Sequence, residues 1–391
     1  MRSDASRLVS RRGFFAASGA AAATHVWRAF AEGLGASGQA SARPRAQSSQ
    51  NDKPMIRMAE LIHPPEDALW RMVKQCGLDY VDGHWEGDWD KERAAGEKPW
   101  DYEPLERLKR AYENRGFKLA GLESRPPMER VKLGLPERDE EIEEVAKLIR
   151  NMGKLGIPMW CYEWMAGIPW TRTKTGIRTR GGALTSGFDV ADIKDAPLTR
   201  YGVVQEETMW ESLKYFLERV VPVAEESNAK LAMHPDDPPL SPIRGMPRIM
   251  RSIENYGNFT LMTDDLPSVI RHFGRQKKIF FVHFRDVEGT PEKFMETFHD
   301  AGKTDMAACM RAYRDIGYDG ICRPDHVPTM EGDSNEKPGY SSIGCLFAIG
   351  YIIGLHEAVY SEERLARQSG SRLPIGNAES ITRRDTGHEQ H

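Results

Sequence analysis

Lys230-Leu231-Ala232-Met233-His234-Pro235 is the stretch on which the fold turns, because it follows a long amphipathic run over residues 206–227 and ends on an imidazole. A short β-rich run reads as a strand, and apolar residues at three-to-four spacing before it read as a helix. Working outward in both directions, the same alternation recurs. Residues 56–62, 79–85, 118–124, 158–164, 259–265, 279–286 and 320–326 are the other strand candidates, and 139–155 and 307–316 are further helical stretches ending near Gly or Asn. Eight strands alternating with helices imply parallel pairing through right-handed crossovers, so the predicted fold is α/β, a (β/α)8 TIM barrel, with a doubly wound sheet as the alternative.

The strand ends are polar: Glu60, His84-Trp85, Glu123, Glu163, His234, Asp264-Asp265, His283-Phe284-Arg285 and Asp325-His326. In a barrel such ends converge on one mouth, where converging carboxylates repel unless a cation or substrate sits among them. Two neutral imidazoles and a carboxylate from neighbouring strands suit Mn²⁺, Fe²⁺ or Zn²⁺. His234, His283 and Asp325 are therefore the expected ligand core.

The flanks read differently. Ser10-Arg11-Arg12-Gly13-Phe14-Phe15, an Ala-rich run and Ala29-Phe30-Ala31 fit a twin-arginine export signal over 1–31 with a small-x-small cleavage site. Residues 32–54 read as a disordered linker, 55–360 as the barrel and 361–391 as a mobile tail. Export implies a periplasmic or extracellular destination and no membrane-inserted segment after processing. The chain has 54 basic and 58 acidic residues, a net charge of −4, so no general positive field exists to hold nucleic acid. Its five scattered cysteines include no C-x-x-C pair and give no disulfide framework. A small sugar or sugar acid is the expected partner, with a homo-oligomer allowed.

His234-Pro235-Asp236-Asp237-Pro238-Pro239, Val282-His283-Phe284-Arg285-Asp286, Thr297-Phe298-His299-Asp300, Arg323-Pro324-Asp325-His326 and Trp170-Thr171-Arg172-Thr173 together resemble the mannonate dehydratase family. The resemblance runs from Met55 to Tyr360 and takes in Glu123-Ser124, Lys132-Leu133-Gly134 and Gly339-Tyr340. It implies a barrel of the xylose-isomerase type, one Mn²⁺ or Fe²⁺ ion, and conversion of D-mannonate to 2-keto-3-deoxy-D-gluconate and water. It also implies His234, His283 and Asp325 as metal ligands and His326 with Tyr340 as the acid/base pair.

Substrate contacts are expected from Arg285, whose fork suits a carboxylate, from Arg172, and from Glu163 and His84 at strand ends. Successive strand residues face opposite ways, so Asp325 is expected at the strand end and His326 in the first loop position. Where the family has a cysteine ligand on the sixth strand, this chain reads Thr260-Leu261-Met262-Thr263-Asp264. A thioether is a poor ligand for a hard cation, so Asp264 is the expected replacement. Glu163 and Asp286 stand where the family tends to have Asn. Extra carboxylates oppose an anionic aldonate unless paired, which leaves room for a metal-dependent isomerase, epimerase or lyase acting on a neutral or oxidised sugar. A non-enzymatic sugar-binding protein with a vestigial site is the third reading.

Overall fold

The computed structural model describes residues 55–85, 89–252 and 265–368. The expected signal segment and linker, the sixth strand with Met262 and Asp264, and the tail beyond Gln368 lie outside the described residues.

Within them the strands in chain order are β1 (Arg57–Ile62), β2 (Tyr80–Gly83), β3 (Lys118–Leu122), β4 (Met159–Glu163), β5 (Lys174–Arg178), β6 (Leu184–Asp189), β7 (Lys230–His234), β8 (Phe281–Phe284), β9 (Val287–Thr290), β10 (Lys293–Glu296) and β11 (Ile321–Pro324). Seven make one parallel sheet in the order β7-β4-β3-β2-β1-β11-β8. The first strand pairs with the last, Arg57 opposite Ile321 and Met58 opposite Cys322, so the sheet curls back on itself as a barrel rather than spreading as a doubly wound layer.

Alternation along each strand separates two cores. Ala59, Ala120, Met159, Ala232 and Ile321 meet in a small cluster inside the barrel, while Ile62, Val81, Leu122 and Trp160 join the large cluster beneath the helices. The helix Arg138–Leu155 turns Ile142, Val145, Leu148, Ile149 and Met152 onto that outer core and stops at Gly156, whose φ of 68° suits a residue without Cβ. Each such side chain contributes about 1.5–3 kcal/mol by leaving water. The last helix, Ser342–Gln368, runs past the boundary expected at Tyr360 and packs Cys345, Ala348, Ile349 and Ile352 inward.

The remaining strands form a second, antiparallel sheet in the order β5-β6-β10-β9, built from insertions after β4 and β8. Phe188, Val287 and Phe294 make its core. Gly187 on β6 is needed there, since a Cβ would meet the Phe294 carbonyl oxygen at 2.7 Å. This sheet delivers residues to the mouth of the barrel.

Candidate active site

His234 ends β7, His283 lies on β8 and Asp325 follows β11, and each offers a donor atom within 4.8 Å of the other two. The expected trio therefore converges. Burial and the neighbouring His283 push His234 down to about 4, so it is a neutral lone-pair donor at neutral pH. Its Nδ1 lies 2.6 Å from the Pro235 carbonyl oxygen, which leaves Nε2 for the cluster. His283 Nε2 stands 2.9 Å from Glu123 Oε1 and its Nδ1 3.7 Å from Asp325 Oδ2. Burial opposes the charge on Asp325, but His326, Arg323 and His283 hold the carboxyl well below its ordinary value. Two imidazoles, one carboxylate and a second carboxylate behind one ring form the donor set a divalent cation takes.

Glu123 is fixed by Arg323, whose Nε and Nη2 donate to its two oxygens at 2.7 and 3.0 Å. Arg323 also donates to Asp325 Oδ1 at 3.0 Å, so one guanidinium braces both carboxylates around His283. Glu60, in contrast, is not at the mouth. Its neighbour Ala59 lines the barrel interior, so Glu60 sits on the opposite face of β1, and burial pushes its carboxyl up to about 8 although Arg323 pulls it down.

Beyond β11 the chain turns at His326, whose φ is 44°. That left-handed conformation costs a non-glycine residue about 1 kcal/mol or more and lets two successive side chains serve the same mouth. His326 Nε2 lies 3.1 Å from the Tyr340 hydroxyl, so the expected acid/base pair is in contact. Trp170 flanks the His326 ring at 5.0 Å. The other ring nitrogen, Nδ1, faces Glu296 Oε1 at 3.1 Å and contacts Arg285. Sequence reasoning missed Glu296, which β10 brings in from the second sheet. Its signal was the alternation of Phe294 and Glu296 on one face of a short strand.

Two of the expected substrate contacts are otherwise engaged. The Arg172 guanidinium is buried and grips both oxygens of Asp237, at 2.7 and 2.8 Å, together with Glu296. It fastens loops and does not reach toward a ligand. Glu163 is buried, its Oε1 2.7 Å from Lys132 Nζ and paired with Arg125, and its other oxygen takes the Met165 amide. Asp286 accepts amides of Val287 and Thr304 at 2.9 and 3.1 Å and braces a loop. Neither extra carboxylate opposes an anionic substrate as the sequence suggested, because both are satisfied inside the protein. His84 directly follows β2 and lies edge-on to His63 at 4.8 Å. Arg285 lines a cavity of about 120 Å³ with His234, His283 and Asp325, and its guanidinium is also held by Asp237 at 2.8 Å and Glu296 at 3.0 Å.

The Lys132 and Glu163 pair gives a stability prediction. Lys132→Met should cost about 3 kcal/mol in chemical denaturation, since it strips a buried carboxylate of its buried partner. Although burial works against it, Lys132 and Arg125 hold Glu163 below its ordinary value, so its contribution is present above the usual carboxylate range and is lost as the pH falls. The gap between variant and parent should therefore narrow in acid.

A parallel barrel whose strand ends bring together an imidazole and carboxylate cluster that could hold a cation, beside a histidine and tyrosine in contact, is the arrangement of a barrel enzyme with its active site at that mouth. The family profile for D-mannonate dehydratase (UxuA) matches residues 73–199 and 195–366. Mannonate dehydratase of Thermotoga maritima is 35% identical over 313 residues, covering 66% of this chain and 86% of that protein. Its counterpart in Enterococcus faecalis is 32% identical over 317 residues, covering 68% and 88%. The crystal structure of mannonate dehydratase from Streptococcus suis serotype 2 superposes with a TM-score of 0.70 at 28% identity, covering 84% of this chain and 99% of that one. The chain belongs to the mannonate dehydratase family, a family of hydro-lyases.

Proposed function

We propose that this protein dehydrates a sugar acid, D-mannonate, to 2-keto-3-deoxy-D-gluconate. The observation that supports the reading most is the adjacency of the His234, His283 and Asp325 cluster to the His326 and Tyr340 pair, inside a barrel of this family. Dehydration removes a weakly acidic proton beside a carboxylate and expels hydroxide from the next carbon, so it needs charge stabilisation, a base and an acid. His234, His283 and Asp325 would hold Mn²⁺ or Fe²⁺, which when bound supplies Lewis-acid stabilisation of the charge developing on the substrate carboxylate.

The protein's own groups do the rest. His326 Nε2 and the Tyr340 hydroxyl hold and move the protons at the reacting carbons. Burial at its hydroxyl end and the Asp325 carboxylate push the Tyr340 phenol up, so it keeps its proton until a leaving hydroxyl can take it. Arg285 orients the acid group, and Trp170 covers one side of the His326 ring. The neutral-sugar reading loses support once Glu163 is ion-paired and Asp286 is buried, held by backbone amides and pushed by burial above its ordinary value.

The test is to supply purified protein with Mn²⁺ or Fe²⁺ and follow 2-keto acid formation from D-mannonate beside isomerisation or epimerisation of neutral hexoses. A protein that turns over a neutral hexose and leaves D-mannonate untouched is not a dehydratase of this kind. Export is a separate proposal, supported by Arg11-Arg12 and Ala29-Phe30-Ala31 in the right order. Residues 1–50 fused to a folded reporter should carry it to the periplasm, and Arg11→Lys with Arg12→Lys should keep it inside. Unchanged export of the double variant removes the signal reading.

A further inference from the structure

We infer that Asp333 is the positioning residue for Tyr340, fastening the segment that carries the phenol to the start of the last helix. The inference rests on the assignment of Tyr340 to proton transfer. It starts from a problem of placement: Tyr340 belongs to neither a strand nor a helix, stands fourteen positions beyond His326 and leaves 39% of its surface in water. Packing alone therefore does not aim its hydroxyl.

A helix begins with amide groups that have no partner within it, and a side chain just ahead of it usually accepts them. Here the residue in that place, Ser341, turns its hydroxyl to Thr329 Oγ1 at 2.9 Å, and the first turn of Ser342–Gln368 holds no acidic residue. Asp333 supplies the cap from the preceding loop. Its Oδ1 accepts the Ile343 amide at 2.9 Å, and its Oδ2 accepts those of Gly344 and Met330, both at 3.2 Å. One carboxylate thus joins the segment before Tyr340 to the helix after it, and its charge suits the positive end of the helix.

The bonds on either side complete the placement. Val327 donates to the Gly339 carbonyl at 2.8 Å, closing the loop at its base beside His326, and the Tyr340 amide donates to the Lys337 carbonyl at 3.1 Å. With the helix start held by Asp333, the chain is tied both before and after Tyr340. The phenol then reaches His326 Nε2, its ring edge-on to the imidazole at 5.4 Å and to Trp170 at 6.5 Å. The second sheet also grips this loop, by a backbone pairing of Leu184 with Thr329 and by Asn335 Nδ2 on the Thr175 carbonyl at 2.9 Å. Neither of those bonds touches the helix start, so they anchor the loop without aiming the phenol.

The test uses the full chain and two readouts. With Mn²⁺ supplied, Asp333→Ala should lower kcat for D-mannonate by about 10-fold or more while KM and metal content stay within about twofold, because a misdirected acid or base slows the chemical step without emptying the site. Asp333→Asn, which keeps one accepting oxygen, should recover part of the loss, and Asn335→Ala should stay within about twofold of the parent. In a Tyr340→Phe background Asp333→Ala should cost nothing further, since two changes that act through one hydroxyl do not add. Independently of turnover, ¹⁹F spectra of metal-free protein carrying fluorotyrosine, with Tyr340→Phe identifying the resonance, should show Tyr340 moving toward the free-tyrosine position in Asp333→Ala as it leaves the His326 and Trp170 rings. A Tyr340 resonance unmoved by Asp333→Ala overturns the inference. So does an Asp333→Ala protein with full kcat, an undiminished effect of Asp333→Ala in the Tyr340→Phe background, or an Asn335→Ala protein as impaired as Asp333→Ala. If the parent leaves D-mannonate untouched, or Tyr340→Phe is fully active, the functional reading has failed, and the Tyr340 resonance alone decides whether Asp333 positions the ring.

Discussion

His326→Asn should keep its metal and lose turnover by about 10²-fold or more, the scale expected when a general acid or base is removed. Asparagine is the informative replacement. Position 326 has a left-handed backbone, which asparagine tolerates better than most residues, so the turn after β11 should survive. The hydrogen-bond contacts at stake are Tyr340, Glu296 and Arg285, while Asp325 Oδ1 stands 3.7 Å from Nε2, beyond hydrogen-bond reach, so the donors of the His234, His283 and Asp325 cluster stay in place. Metal analysis and turnover on one preparation separate the roles. A metal-free His326→Asn protein, or one with near-normal turnover of D-mannonate, would falsify the assignment.

The barrel was legible because its strands are short β-rich runs between long helices, and because buried parallel strands leave a strong apolar signal. Met159, Trp160 and Cys161 on β4 are of that kind. The second sheet was not legible. Lys174-Thr175-Gly176-Ile177-Arg178 and Leu184-Thr185-Ser186-Gly187-Phe188-Asp189 contain glycines, and β5 lies mostly exposed, so neither has the pattern of a core strand. Their pairing is tertiary. β6 joins β10 only because two insertions meet above the barrel, a contact between residues about a hundred positions apart.

The same reason hid part of the site. Residue type and strand position found His234, His283 and Asp325, and the family resemblance supplied the pair of His326 and Tyr340. Residue type and position misjudged Arg172 and Glu163 because a charge beside an expected mouth looks the same in sequence whether it faces a ligand or a buried partner. Lys132 and Asp237, which decide the matter, come from a short helix and a loop elsewhere in the chain. Glu296 was overlooked although it directly precedes Thr297-Phe298-His299-Asp300, since the short alternation with Phe294 marks a buried face without showing that the carboxylate reaches an imidazole thirty residues on.

Asp325→Asn and His234→Ala should each lose metal and activity together, for different electrostatic reasons. Asp325 is the cluster's one anionic member, and Arg323 already lies 3.0 Å from its Oδ1. Its amide would leave a cation facing two neutral imidazoles with that guanidinium nearby, so charge repulsion joins the loss of a ligand. His234→Ala keeps the carboxylate and removes one neutral donor from a ring already below its ordinary pKa, hence free of proton competition at neutral pH. Of the two, Asp325→Asn should bind metal more weakly. Glu123→Gln is the graded control: Arg323 would lose a charged partner and His283 the carboxylate 2.9 Å from its Nε2, and removal of such an outer partner typically weakens metal binding 10–100-fold. Equilibrium dialysis with Mn²⁺ should therefore order the proteins as parent, Glu123→Gln, His234→Ala and Asp325→Asn, from tightest to weakest. Undiminished Mn²⁺ binding by Asp325→Asn would move the metal away from the end of β11.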